Sequence, residues 1–240
     1  MIEYVEWDSR FFGRNIGRID LDPSGLPDTD VFISEARKFD LIYVNSRSFM
    51  LPGDMVRGMN LDLMDIMLTL SMPVNREIGY SKEKTMRTSL SAEELQQCYR
   101  ISEQISEVSR FTKEPLIGPT KTKSLYRAWI DNSLNSSYAD GIFLFKKDGV
   151  IRGIHIIKTD ADRQAGRCSL IGLDKDLRKT GGGTTLWNQA LAYWVHQTGV
   201  NKAVVSFSLM NKSSFNFHLK IGFNRVEEIK YIYHYRNGQL

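Results

Sequence analysis

Three consecutive glycines, Gly181 to Gly183, separate the strand-like run GRCSLIGLD from an amphipathic stretch in which Leu186, Ala190, Leu191, Trp194 and Val195 share one helical face. Strand, glycine turn and helix in that order form a crossover unit. Glycines let backbone amides approach a ligand closely, and the helix N-terminus adds partial positive charge. Together they make a site for phosphate or pyrophosphate. Arg178 and Lys179, just upstream, add full charges. The order Gly183-Thr184-Thr185 lacks the Lys-Ser/Thr of a Walker A loop, and Leu186 stands where a dinucleotide fingerprint needs its third glycine. What remains is Arg-x-x-Gly-x-Gly.

The pattern around this unit is mixed α/β. In the first 80 residues, RNIGRIDL and DLIYVNSR read as strands, DTDVFISEARKF as a helix and NLDLMDIMLTLSM as an alternating strand. Asp22-Pro23-Ser24-Gly25 and Leu51-Pro52-Gly53-Asp54 supply turn chemistry. Ser89 begins a helix running toward Ser109, with Ser91, Glu93 and Glu94 placing hydroxyl and negative charge at its start. The breakers in RFTKEPLIGPTKTK predict a loop before a second helix, LYRAWIDNSL. Asp148-Gly149 marks a hairpin, KAVVSFSLM a further strand and EIKYIYHYR an aromatic closing strand. The expected division is a small α/β domain over residues 1–82 and a second domain over 83–240.

Composition narrows the function classes. With 240 residues, 42% of them hydrophobic, the chain can bury a core without disulfides or metal. Its two cysteines, Cys98 and Cys168, form no Cys-x-x-Cys or Cys/His cluster, so no metal is expected and a cytoplasmic location is. Glu3, Glu6 and Asp8 stand where an export signal needs positive charge, and no run reaches the roughly 18 apolar residues of a membrane span. Residues 1–85 carry 10 Lys and Arg against 14 Asp and Glu, net −4; residues 86–240 carry 22 against 14, net +8. The basic second half suits a polyanionic small molecule. Its cations form no run longer than two, so nucleic acid is not an expected partner.

Downstream of KAVVSFSLM stands Asn211-Lys-Ser-Ser214-Phe-Asn-Phe-His218-Leu-Lys-Ile-Gly222-Phe223. The succession of strand, Arg-x-x-Gly-x-Gly, helix, strand, Asn, short helix and Gly-Phe resembles the GCN5-related N-acetyltransferase (GNAT) superfamily over residues 86–240. The resemblance implies a largely antiparallel mixed sheet with splayed central strands, flanked by helices, and acetyl-CoA as acyl donor. It implies that Leu170, Ile171, Gly172 and Leu173 form the splayed strand, with the Leu173 N–H as oxyanion donor. Arg178, Lys179, Thr180, Gly181, Gly182, Gly183 and Thr184 then take the pyrophosphate, and Asn211 and Ser214 lie beside the pantetheine. His218 occupies the family's tyrosine position, as acid or hydrogen-bond donor to the departing thiolate; the competing reading is a structural helix residue, with the role absent or taken by Ser214.

Within the superfamily, Trp7-Asp-Ser-Arg-Phe-Phe-Gly13, Ser109-Arg110-Phe111 and Tyr126-Arg-Ala-Trp129-Ile130 are similar to the sugar-nucleotide N-acetyltransferases of the dTDP-fucosamine (dTDP-4-amino-4,6-dideoxy-D-galactose) type. That implies a nucleotide-linked amino-dideoxy sugar as acceptor, serving surface polysaccharide synthesis, with Arg110, Phe111, Tyr126 and Trp129 as its contacts. Arg110 equally reads as a surface arginine, and Tyr126 and Trp129 as core. Another small amine as acceptor, or a non-catalytic acetyl-CoA-binding module, are the competing readings. His155, His196 and Cys168 read as structural. The aromatic strand Tyr231 to Tyr235 offers a pairing edge for a homodimer.

Overall fold

The computed structural model describes residues 1–74, 86–135, 138–162 and 164–238. In chain order the elements are β1 (Glu3–Tyr4), α1 (Glu6–Phe12), β2 (Ile16–Leu21), α2 (Thr29–Ala36), β3 (Leu41–Arg47), α3 (Gly53–Gly58) and β4 (Leu61–Pro73). Next come α4 (Ala92–Ser106), α5 (Arg110–Lys113), α6 (Gly118–Asn135), β5 (Gly141–Lys147), β6 (Val150–Thr159) and β7 (Ala165–Leu173). The chain closes with α7 (Gly182–Tyr193), β8 (Lys202–Ser208), α8 (Lys212–Lys220) and β9 (Arg225–Arg236).

Local chemistry sets several of these boundaries. Asp28 caps α2 by accepting from the N–H groups of Asp30 and Val31, and Ser91 and Glu94 form a reciprocal capping box on α4. The β5–β6 hairpin turns on Asp148 and Gly149, with φ of 53° and 79°, the doubly positive pair a two-residue turn requires. One expectation fails: α6 begins at Gly118, not Leu125, and Arg110–Lys113 is itself a short helix capped by Ser109. Pro119 falls in the first turn of α6, where its missing N–H costs nothing, and Thr122 Oγ1 donates back to the Gly118 carbonyl. A proline read as a breaker is here a helix start.

Among the described residues, nine strands form one mixed sheet in the order β1-β2-β3-β9-β4-β8-β7-β6-β5. β2–β3 and β7–β8 are parallel and every other pair is antiparallel. The last strand inserts between two early ones: β9 pairs with β3 from Leu41↔Arg236 to Arg47↔Lys230 and with β4 from Leu61↔Tyr235 to Ser71↔Arg225. Both edges of β9 are therefore filled, so Tyr231 to Tyr235 do not offer the pairing edge expected for a second copy. The expected domain junction at 82/83 lies against residues 75–85, outside the described residues.

Helices cover both faces of the sheet. On one, Leu186, Trp187, Ala190, Leu191 and Trp194 of the α7 region pack on Phe143, Ile157, Val205 and Phe207, with Phe223 beside them. On the other, Cys98 and Ile101 of α4 and Ile130 of α6 pack on Ile142, Ile154 and Ile156. A third cluster joins the ends of the chain's first half to this layer: Phe12, Ile16, Leu41 and Tyr43 meet Phe111, Leu125 and Tyr126.

Candidate functional site

The two central parallel strands separate. β7 stays paired with β6 from Gly166 to Leu173, but it pairs with β8 only where Ala165–Cys168 face Lys202–Val205. The register across β6 jumps between Ile156↔Leu170 and Ile157↔Cys168, leaving Ser169 as the extra residue of a bulge. Bulges bend a strand and sharpen its twist, and from Ser169 onward β7 diverges from β8. The backbone edge of Ser169–Leu173 that faces β8 consequently has no strand partner. This is the strand of which Leu170, Ile171, Gly172 and Leu173 were expected to form the splayed part.

At the far end of that edge lies the glycine turn, and a buried carboxylate fixes its entry. Asp174, 4% exposed, accepts from Arg100 Nη2 at 3.0 Å and Gln104 Nε2 at 2.9 Å and pairs with Arg152. Its own N–H donates to the Arg152 carbonyl at 2.8 Å. A 3-10 turn over Lys175–Leu177 follows, and Thr180 Oγ1 donates to the Leu177 carbonyl. Lys179 and Gly181 take the left-handed region, φ 67° and 93°, as the chain turns into α7. The first N–H groups of a helix have no intrahelical acceptor. Gly182 and Gly183 are buried, whereas Arg178, Lys179, Thr180, Gly181 and Thr184 are exposed. A Cβ on Gly182 would meet Leu173 at 3.1 Å and Phe145 at 3.2 Å; one on Gly183 would lie 2.9 Å from the Phe217 ring. The missing side chains thus let α7 close on the end of β7, bringing Leu173 against the turn.

The residues expected beside the pantetheine are placed by α8. Asn211 Oδ1 caps that helix by accepting from the Ser214 N–H at 3.1 Å. His218 is 1% exposed, stacked on Phe207 at 5.0 Å and perpendicular to Trp187 and Phe223. Its Nδ1 lies 2.8 Å from the Ser214 carbonyl, an acceptor only, which assigns the proton to Nδ1 and leaves a lone pair at Nε2. Burial pushes the ring's pKa down to about 4. Placed this way, His218 is neutral, its Nδ1 proton is engaged by the Ser214 carbonyl, and its buried Nε2 has no hydrogen-bond partner among the described residues. His155, also buried, contacts the Leu186 carbonyl through Nδ1 at 3.2 Å, and burial lowers its pKa to about 3. Burial pushes the Cys168 thiol up, away from a nucleophilic thiolate.

At the Ser169 end of the open edge is a cavity of about 380 Å³, lined by Trp7, Trp129, Asn132, Ser133, Tyr138, Ile156, Ser169 and Leu170. Of the four expected acceptor contacts, Trp129 lines it. Phe111 and Tyr126 are buried in the cluster that joins α1 and β3 to α5 and α6. The Arg110 guanidinium lies over the Phe111 ring at 4.2 Å, with a buried Nε that has no hydrogen-bond partner.

Sequence reading missed two features. Asp174 carried no signal of its role, because its partners come from α4 and β6. A second carboxylate, Glu114, is fully buried and accepts from His234 Nδ1 at 2.5 Å and Arg236 Nε at 2.9 Å. Burial opposes its ionisation, yet these hydrogen bonds hold its pKa down at about 2; burial likewise keeps His234 low. Among the described residues no group of three or more metal-binding side chains occurs, and no helix is long and apolar enough to cross a membrane.

Comparison with known proteins gives the same architecture. A functionally unknown conserved protein from Staphylococcus epidermidis superposes with a TM-score of 0.64 at 9% identity, over 93% of this chain and 85% of its own. A GCN5-related N-acetyltransferase from Kribbella flavida gives 0.53 at 14% identity, over 94% and 82%. A tandem GNAT protein from the clavulanic acid biosynthesis pathway gives 0.54 at 12% identity, over 94% and 76%. At these identities the likeness is one of fold. No curated protein matches the sequence. The Acetyltransferase (GNAT) family matches residues 97–223, more than half of the chain and the part that holds the splayed strand, the glycine turn and α8. The protein therefore belongs to the GNAT acetyltransferase family.

Proposed function

We propose that the protein transfers an acetyl group from acetyl-CoA to the amine of a nucleotide-linked amino-dideoxy sugar, of the dTDP-4-amino-4,6-dideoxyhexose type. One observation carries the reading: the open edge of β7 runs from the glycine turn at Leu173 to the aromatic cavity at Ser169. Four residue steps of strand span about 13 Å, a track for an extended amide-containing arm between an anion site and a second-substrate cavity. The residues fit the donor. The turn offers the first N–H groups of α7, which have no intrahelical acceptor, with Arg178 and Lys179 beside them, and the strand edge offers peptide groups without a strand partner.

The donor supplies an activated thioester carbonyl; the chain's task is to hold it and receive charge. In this reading Gly181, Gly182, Gly183 and Thr184 bind the pyrophosphate, and the β7 edge aligns the arm. As the amine's lone pair forms the C–N bond, a backbone N–H of the open edge at its Ser169 end, beside the cavity, donates a hydrogen bond to the carbonyl oxygen that turns negative, a contribution of about 2.7–4 kcal/mol for a well-aimed donor; the C–S bond then breaks, and the thiolate leaves with the proton the amine sheds. In this reading the Leu173 N–H, at the turn end about 13 Å away, is too far from the acceptor to serve that role. Alignment of the two substrates supplies a further ~7–11 kcal/mol at best. No covalent enzyme intermediate is needed, since the amine itself is the nucleophile.

The test is free-thiol release from acetyl-CoA by the purified protein, challenged with dTDP-linked 4-amino-4,6-dideoxyhexoses, free amino sugars, amino acids and polyamines. Turnover confined to the nucleotide-linked amino sugars is expected. Turnover with another amine refutes the acceptor class. Binding of acetyl-CoA without turnover of any amine leaves a binding module and refutes the enzyme reading.

A further inference from the structure

The cavity at Ser169 is walled by two tryptophans from distant parts of the chain, and each is pinned by an aromatic partner on its own helix. Trp7 of α1 stacks on Phe11 at 4.9 Å with 9° between the rings; Trp129 of α6 meets Tyr126 at 4.5 Å and 42°. Trp7 is nevertheless 40% exposed, so its indole has surface left for a ligand. Trp7 also lies outside residues 97–223, the part of the chain matched to the family. The N-terminal segment thus adds a wall that the shared acetyltransferase segment does not contain.

The chemistry of the lining restricts what enters. Among the described residues that line it, none is Asp, Glu, Lys, Arg or His. A charged group moved into this cavity would give up water without meeting a counter-charge. A neutral ring loses little: its C–H faces meet the indoles, and a few hydroxyls find Asn132, Ser133 and Ser169. The same desolvation favours the neutral, nucleophilic form of an amine carried in on that ring.

We propose that Trp7 is an acceptor-specificity residue, forming with Trp129 a cavity for an uncharged, sparsely hydroxylated ring that bears the reacting amine. Acceptors that bring a second charge close to the amine, such as amino acids and polyamines, are disfavoured there. The inference rests on the acetyl-transfer reading above and deepens it, since it assigns the acceptor's ring to this cavity and any phosphate of the acceptor to a place outside it.

The experiment compares wild type, Trp7→Ala and Trp7→Phe with whichever amine of the panel is turned over. Trp7→Ala is expected to raise the acceptor KM by about tenfold, the scale of one lost aromatic contact. Its acetyl-CoA affinity by calorimetry stays unchanged, and Trp7→Phe retains most of the acceptor affinity. An acceptor KM unchanged in Trp7→Ala overturns the proposal while leaving acetyl transfer intact. If no amine is turned over, the functional reading falls separately. Binding is then followed by tryptophan fluorescence with a methyl 4-amino-4,6-dideoxyhexoside. Quenching in wild type that is lost in Trp7→Ala supports the cavity assignment, and no quenching in wild type refutes it.

Discussion

Gly183, at the start of α7, is held so close to Phe217 of α8 that a Cβ on the glycine would lie 2.9 Å from the ring's Cζ. The contact locks the N-terminal end of α7 to the helix that carries His218 and is capped by Asn211. Gly183→Ala forces the phenyl ring or the turn to move. Overpacking of this kind costs about 1–3 kcal/mol. The expected outcome is a lower melting temperature together with weakened acetyl-CoA binding, read by thermal denaturation and calorimetry. An alanine variant with wild-type affinity and stability would show that the turn does not depend on this approach.

Asp174 is the second support of the turn. Replacing it with Ala removes the acceptor shared by Arg100, Gln104 and Arg152, and lost buried hydrogen bonds of this type cost about 1–3 kcal/mol. The loop from Lys175 to Gly181 then loses its fixed origin. The KM for acetyl-CoA is expected to rise more than the acceptor KM, which steady-state kinetics with both substrates varied will separate.

The placement of His218 gives a pH signature. Its folded pKa, about 4, lies below the unfolded value of about 6.5, and His155 is lower still at about 3. The unfolded chain therefore binds protons that the folded chain refuses. Stability is full above about pH 6.5 and falls as the pH drops toward 4, with a slope of up to ~1.4 kcal/mol per pH unit for each ring. His218→Phe is expected to reduce that slope in denaturant melts between pH 6.5 and 4 and to leave the pH profile of kcat unshifted. A drop in kcat of about 10²-fold or more, typical of a lost general acid, would instead assign His218 the acid role.

Glu114 tests the second buried carboxylate. Glu114→Gln leaves the Arg236 side chain, 10% exposed, with Asp62 as its remaining ion-pair partner. Breaking a buried pair from one side costs about 3–5 kcal/mol. The loss is expected in chemical denaturation at neutral pH with little change in acetyl-CoA affinity, because the cluster sits among β9, β4 and the end of α5, away from the glycine turn.

The sequence was most legible where one residue type has one physical use. Asp148-Gly149 specified its hairpin and Gly181 to Gly183 the turn into α7, both from local chemistry, whereas the start of α4 was read at Ser89 and lies at Ala92, after the Ser91 cap. Pro119 was misread because a proline both breaks and begins helices, and the choice rests on what precedes it. The aromatic alternation of Tyr231 to Tyr235 was read correctly as a strand, but nothing local indicates that β9 lies between β3 and β4. Long-range partners are likewise silent. Asp174 meets Arg100 and Gln104 across some seventy residues of chain, and Trp7 shares a cavity with Trp129 only because α1 folds against α6.

The account depends on the open edge of β7 being the donor's track, and amide hydrogen exchange tests that directly. Exchange is followed at the Ser169–Leu173 and Gly181–Thr184 amides with and without acetyl-CoA. The structure leads us to expect that acetyl-CoA slows exchange in both segments together. Binding that leaves Ser169–Leu173 unprotected, or that protects a different strand edge, would contradict the account.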